Sequence, residues 1–129
     1  MFRLHKFFYL LDCQSLKANG NSITDFVYIR QKDGPYCVEL GSRWFTAYQD
    51  EIKVVKKNGV LHIIWINRDL FANVPEIDDS IKTQIDRLLS DIDLLSDAQL
   101  KARAYLTPPM REALKAERKG IRQLNKPLL

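Results

Sequence analysis

The feature that most constrains this chain is the turn that Asp33-Gly34-Pro35 forces between two apolar stretches near the N-terminus. Glycine permits backbone dihedrals that other residues avoid, and proline restrains the residue before it. The chain must therefore change direction here. Because proline is also suited to the first position of a helix, the turn predicts a second helix over about 36–49.

The segment before this turn predicts a first helix over 3–18. Its apolar residues recur at three- and four-residue spacing, and Asn19-Gly20 supplies a helix stop. Residues 22–29 are rich in β-branched and aromatic side chains, so a short strand or extended segment is expected there. The expected core of the domain consists of Phe7, Phe8, Leu11, Trp44, Phe45, Ile81, Ile85 and Leu88.

The second half predicts a hairpin followed by three helices. Asn58-Gly59 separates two β-rich runs and is typical of a tight hairpin turn. Apolar periodicity, a Ser96/Gln99 capping box and a Thr107-Pro108 helix start predict helices over 77–95, 97–105 and 108–119. The fold class is therefore α+β: a mainly α-helical, compact single domain over 1–129 with a small, winged-helix-like hairpin.

The composition is that of an ordinary globular domain. The chain has 129 residues, of which 46% are hydrophobic and 28% are charged. No apolar run approaches the roughly 20 residues that a membrane span needs, and no signal peptide is expected. We therefore expect a cytoplasmic protein without membrane association, in which Cys13 and Cys37 are reduced.

Charge is distributed unevenly along the sequence. The net charge is +4 over residues 1–68, −6 over 69–100 and +6 over 101–129. Solvated helix faces of opposite sign are the simplest explanation. The alternatives are that the acidic and basic segments face each other, within one chain or across a homodimer, or that each meets a charged partner.

The sequence offers no set of residues that would support catalysis. His5 and His62 are the only histidines, and the cysteines fit no metal-ligand spacing. Asp91 and Asp93 are two residues apart on a predicted helix and so point to different faces. We expect no metal, no cofactor and no enzymatic activity.

A winged-helix DNA-binding regulator is an alternative. The predicted hairpin carries Lys53, Lys56 and Lys57, which could contact a phosphate backbone. The predicted helix before it, however, offers only Arg43 as a phosphate contact. DNA binding is therefore not favoured by the sequence.

The N-terminal third resembles the Panacea domain, the SocA-like antitoxin family of toxin–antitoxin systems. The first helix resembles the family's opening motif, and a Gly, an Ile-Thr pair and an aromatic strand lead into a Gly-Pro turn. Asp33 departs from the aromatic residue that the family has before Gly-Pro. A later run, Tyr105 to Glu112, resembles C-terminal segments of the family. The matching residues are Leu4-His5-Lys6-Phe7-Phe8-Tyr9-Leu10-Leu11-Asp12, Gly20, Ile23-Thr24, Tyr28-Ile29-Arg30, Gly34-Pro35-Tyr36 and Glu39-Leu40.

The resemblance implies an antitoxin that neutralises a small, co-encoded protein toxin by direct binding. It also implies a role as adaptor to an AAA+ protease. A phage or mobile-element protein that binds another host protein is a further alternative. Tyrosine and arginine often anchor interfaces, so we expect an exposed patch around the Gly-Pro turn, with basic C-terminal residues as a secondary contact. The predicted partner-binding residues are Tyr28, Arg30, Lys32, Gly34, Pro35, Tyr36, Arg111 and Arg118.

Overall fold

A computed structural model describes residues 2–50, 52–65 and 77–129. These residues form five α-helices, one short 3-10 helix and two antiparallel hairpins, an α+β arrangement as expected. The elements are α1 (Phe2–Asn19), β1 (Tyr28–Gln31), β2 (Gly34–Cys37), the 3-10 helix (Val38–Leu40), α2 (Ser42–Ala47), β3 (Ile52–Lys57), β4 (Val60–Trp65), α3 (Asp79–Asp93), α4 (Asp97–Tyr105) and α5 (Pro108–Arg118).

The core is built around α1, which packs against β2, α3 and α4. Of the expected core residues, Phe7, Leu11 and Leu88 are buried, whereas Phe8, Trp44 and Ile85 are partly buried and pack against the buried cluster. Ile81 is half-buried, and the Phe45 side chain lies outside what the structure describes. The cluster also contains residues outside that expected core, among them Tyr9, Tyr28, Cys37, Leu40, Ile92, Leu100, Ala104 and Met110.

The predicted helix over 36–49 is wrong in its first part. Gly34–Cys37 is a strand that pairs with Tyr28–Gln31, and only the six residues Ser42–Ala47 are α-helical. Gly34 has φ +103°, which folds the chain back as a hairpin instead of starting a helix.

Pro35 fits this strand because no partner needs its missing N–H group. Pro35 lies opposite Arg30, whose own backbone N–H and C=O bond to Lys126 and Asn125 of the C-terminal segment. The backbone N–H and C=O groups of Arg30 therefore point away from Pro35, and the proline nitrogen faces the outer side of β2. Here, as often, proline occupies an edge position.

The hairpin at Asn58-Gly59 is confirmed. The two residues have φ of 51° and 78°, as a type I′ turn requires, and Lys57 pairs with Val60 directly beside it. The three C-terminal helices are also close to their predicted bounds. Ser96 and Gln99 make both bonds of the capping box before α4, and Gly120, with φ +80°, follows α5.

The acidic and basic segments meet at the α3–α4 corner. Arg103 of α4 lies 3.6 Å from Asp91 of α3, and Arg3 of α1 binds Asp97 at 2.8 Å. Part of the charge asymmetry is thus compensated within one chain. Among the helices that the structure describes, none is both long and apolar enough to cross a membrane.

Candidate functional site

An open groove of about 510 Å³ lies between the N-terminal part of α1 and the β1–β2 hairpin. We call it the hairpin groove. It collects most of the region that the sequence marked as a binding surface, together with three residues of α1. Its lining residues are Phe2, His5, Lys6, Gln31, Lys32, Asp33, Gly34, Pro35 and Tyr36.

Lys6 fastens the groove floor to the turn. Its side chain is buried, and Nζ donates a hydrogen bond to the Pro35 carbonyl oxygen at 2.9 Å. Nζ also lies 4.6 Å from the centre of the Phe2 ring, a cation–π contact. Burial lowers the pKa of Lys6 to about 8, although the nearby Asp33 carboxylate opposes this shift. The lysine therefore holds the hairpin against α1 and places a positive charge in the floor.

The opposite side of the hairpin tip is held by α4. Tyr105 donates its hydroxyl to the Lys32 carbonyl oxygen at 3.3 Å, and Lys101 binds Asp33 at 3.0 Å. The hydrogen bond from Lys101 lowers the pKa of the Asp33 carboxyl below its ordinary value. Asp33 thus has a charged partner within this chain.

Arg30 links the hairpin to α5 and is not a surface residue. It is 8% exposed, and its Nε and Nη2 donate to the two carboxylate oxygens of Glu117 at 3.0 and 3.2 Å. Its guanidinium also lies 5.5 Å from the centre of the Tyr105 ring. The expected exposure of Arg30 is wrong because this two-pronged ion pair occupies its guanidinium.

Tyr28 is likewise an internal anchor. It is 1% exposed, and its hydroxyl donates to the fully buried carboxylate of Asp12. The same carboxylate accepts the backbone N–H groups of Ile23 and Thr24 at 2.8 and 2.9 Å, and the Thr24 hydroxyl. Asp12 therefore fixes the path of the chain from α1 into β1, and Tyr28 contributes nothing to the surface.

The remaining predicted residues divide into three groups. Gly34 and Pro35 are buried under the tip, so their expected exposure is also wrong. Lys32 is exposed, and Tyr36 is half-exposed and stacks on His5 with ring centres 4.4 Å apart. Arg111 and Arg118 are exposed on α5 and do not line the hairpin groove.

His5 and Lys6 are groove residues that were not predicted from the sequence. Their signal was available, because both are polar residues that interrupt an otherwise apolar and aromatic run over residues 4–11. Polar side chains in such positions need partners inside the fold. His5 has one: its Nδ1 accepts the backbone N–H of Cys37 at 3.0 Å.

His5 is expected to make the domain sensitive to acid. Burial, followed by the charge of Lys6, lowers the pKa of His5 from 6.5 to about 4. The unfolded chain therefore binds a proton below about pH 6.5 that the folded chain accepts only near pH 4, and stability falls as the pH falls through this window. In His5→Asn an amide oxygen can still accept from Cys37 without titrating.

The measurement is urea unfolding of both proteins at about pH 7.5 and about pH 4.5. We expect the wild type to lose more stability than His5→Asn between the two values, since exposed carboxylates act equally in both. Equal losses would show that His5 does not supply the acid sensitivity.

The remaining thiol and imidazole groups are those of Cys13, Cys37 and His62. Both cysteines are free, and burial raises the pKa of Cys13 and of Cys37 to about 11, which makes them poor nucleophiles. His62 is exposed on β4. Within the described ranges, no three His, Cys, Asp or Glu side chains converge in a way that could hold a metal ion.

Comparison of the chain with protein-family models, with curated proteins and with solved structures found no match.

Proposed function

We propose that this domain is an antitoxin that binds a small, co-encoded protein toxin through the hairpin groove and neutralises it by direct contact. The observation that carries the proposal is a solvent-exposed hairpin tip, beside an open groove, that three other parts of the chain hold in place. The resemblance of the N-terminal third to the Panacea family supplies the class of partner.

The tip is suited to binding because it is ordered before a partner arrives. Lys6 holds it from α1, Lys101 and Tyr105 hold it from α4, and Asn125 accepts a hydrogen bond from Gln31. An interface that is already ordered loses less conformational entropy on binding. The partner would then meet Lys32, the half-exposed Tyr36 and the Phe2 ring.

The residues of the family-like motif support this arrangement indirectly. Lys6, Asp12, Tyr28 and Gly34 all act inside the fold, where they set the position of the tip. The motif thus favours the fold of the family, while recognition of one particular toxin falls to the exposed side chains. Arg111 and Arg118 of α5 remain candidates for a secondary contact.

We place the protein in the cytoplasm, where an AAA+ protease could receive the captured toxin. DNA binding remains the alternative, and its best support is now the exposed basic residues of α5. The six-residue α2 before the β3–β4 hairpin is a poor recognition helix, since it is less than two turns long. Another host protein as target is the remaining alternative.

The test is co-expression with the protein encoded beside this gene. We expect that neighbour alone to stop growth, this domain to restore it, and the two proteins to co-purify. The adaptor role would be supported if the toxin is degraded when this domain is present and if this degradation stops in a protease-deficient host. Rescue of growth without co-purification, accompanied by repression of the operon, would favour the DNA-binding alternative.

The surface can be tested with a charge reversal. Lys32→Glu, alone or with Tyr36→Ala, is expected to weaken toxin capture about tenfold or more, because it changes the exposed side chains of the tip. Lys57→Glu is the matched control, since Lys57 is also an exposed lysine beside a hairpin turn. Affinity is measured by calorimetry and folding by thermal melting. If Lys32→Glu and the double variant with Tyr36→Ala both bind the toxin as tightly as the wild type does, the interface lies elsewhere.

A further inference from the structure

Lys6 is a buried cation without a carboxylate partner in the described part of the chain. It is 4% exposed, whereas lysines buried to this degree are normally paired with an acid. The salt bridges among the described residues join other cations to carboxylates, and none of them includes Lys6. Of the three N–H groups on Nζ, one bonds to the Pro35 carbonyl oxygen. No described residue accepts the other two.

The ammonium group of Lys6 lies at the hairpin groove. Nζ is 4.6 Å from the centre of the Phe2 ring, 2.9 Å from the Pro35 carbonyl oxygen and 3.6 Å from the position that a Cβ on Gly34 would take. All three residues line the groove. Burial lowers the pKa of Lys6 to about 8, so the group is still mostly charged at neutral pH. A largely desolvated positive charge therefore borders an open cavity of about 510 Å³.

His5 offers a second hydrogen-bond donor beside this charge. Its Nδ1 accepts the backbone N–H of Cys37, so the proton of the neutral ring is on Nε2. Nε2 bonds to no described residue, yet among those residues no buried side-chain nitrogen or oxygen lacks a partner. Nε2 must therefore reach the surface, and the surface that His5 lines is the hairpin groove. Tyr36 stacks on the ring and so fixes the direction of this N–H.

The charges around the groove favour a single anionic group. Lys6 and Lys32 both line it, whereas the Asp33 carboxylate in the lining is already bound by Lys101 at 3.0 Å. A carboxylate is the natural acceptor for an ammonium and an imidazole N–H, because charge-assisted hydrogen bonds are the strong ones. A nucleic-acid strand fits less well, since its row of phosphates would also meet the exposed Asp33 on the rim.

The backbone of β2 indicates that this carboxylate belongs to a side chain. The outer edge of the strand is already in use, because the Pro35 carbonyl accepts from Lys6 and the Cys37 N–H donates to His5. A peptide that adds a strand is bound mainly through such backbone groups, and here it would find them occupied. An acidic side chain on the surface of a folded partner needs only the groove.

We propose that the toxin inserts an Asp or Glu side chain into the hairpin groove, where the carboxylate pairs with Lys6 Nζ and accepts the Nε2–H of His5. This inference rests on the proposed function and names the chemistry that the groove recognises. The carboxylate supplies the counter-ion that no described residue gives Lys6. Lys32, exposed on the rim, attracts an acidic surface toward the groove.

The first test asks whether the groove binds a carboxylate when no partner protein is present. Sodium acetate is titrated into the isotope-labelled domain and followed by NMR, with sodium chloride at the same ionic strength as reference. We expect acetate, and not chloride, to shift the amide signals of residues 5, 6 and 36 with millimolar affinity. Equal shifts from the two salts would overturn the proposal, and this comparison needs only the wild type.

Two variants show whether Lys6 is the group that binds acetate. Lys6→Met keeps the length of the side chain and removes its charge, so a folded Lys6→Met should lose the acetate response. Lys17→Met is the matched control, since Lys17 is an exposed lysine on the same helix that does not line the groove. It should respond to acetate as the wild type does. An acetate response that persists in Lys6→Met would overturn the proposal.

The second test uses the wild-type domain and the protein encoded beside its gene. Each Asp and Glu of that protein is changed in turn to Asn or Gln. We expect one change to weaken the complex about tenfold or more, and to have no further effect on binding to Lys6→Met. A complex that none of these changes weakens would overturn the carboxylate contact and leave the proposed function standing. Failure of the two proteins to bind at all would instead overturn the proposed function, and the acetate titration would then decide the carboxylate site by itself.

Discussion

Asp12→Ala is expected to lower the free energy of unfolding by about 3 kcal/mol or more. The Asp12 carboxylate is fully buried and accepts hydrogen bonds from the Ile23 and Thr24 backbones, the Thr24 hydroxyl and the Tyr28 hydroxyl. Alanine would leave these donors without their acceptor at a position where the carboxylate has no exposed surface. The connection from α1 to β1 would then lose the group that fixes its path.

The control for this experiment is Asp12→Asn. An amide oxygen can still accept the two backbone N–H groups, and the hydroxyls of Thr24 and Tyr28 can rotate to accept from the amide nitrogen. We therefore expect asparagine to cost clearly less than alanine. Urea unfolding followed by circular dichroism measures both. A similar stability for Asp12→Ala and the wild type would show that the buried network does not hold this segment.

Gly34→Ala is expected to cost about 3 kcal/mol, from backbone strain and from crowding together. Gly34 has φ +103°, and an added Cβ would lie 3.0 Å from Cε2 of Tyr105 and 3.4 Å from Cε of Lys6. Both neighbours hold the hairpin tip. The substitution should therefore lower stability and also weaken the proposed toxin capture, because the tip would shift.

Gly59→Ala separates the two causes. Gly59 also has a positive φ, of 78°, but no atom lies within 4 Å of an added Cβ. Backbone strain alone should then apply, at a cost of about 1 kcal/mol. Thermal and urea unfolding of the two variants give the comparison. Equal losses would mean that the contacts with Tyr105 and Lys6 are not restrictive.

Local patterns predicted most of the second half of the fold. The Asn58-Gly59 turn, the Ser96/Gln99 capping box and the Thr107-Pro108 start each depend on neighbouring residues alone, so the sequence contains the whole signal. Gly34-Pro35 was different. The pair is compatible with a helix start or with an edge strand, and the C-terminal segment that bonds to Arg30 decided between them.

The sequence did not predict which of the candidate residues around the Gly-Pro turn are exposed. Tyrosine and arginine are common interface anchors, which made Tyr28 and Arg30 attractive surface candidates. Their partners are Asp12 and Glu117, and Glu117 is 87 residues away from Arg30 in sequence. Residue type alone does not reveal such a pairing. At the hairpin tip, Lys32 and Tyr36 are the predicted residues that remain accessible, and Arg111 and Arg118 are exposed on α5.

Amide hydrogen exchange of the domain, with and without the protein encoded beside its gene as the proposed toxin, tests the central claim most directly. The proposed binding through the hairpin groove predicts that the toxin slows exchange at residues 31–36 and in the first turns of α1. Exchange at the β3–β4 hairpin should stay unchanged. Slowed exchange confined to α5 or to the β3–β4 hairpin, with none at residues 31–36, would contradict the assignment of the hairpin groove as the toxin-binding surface.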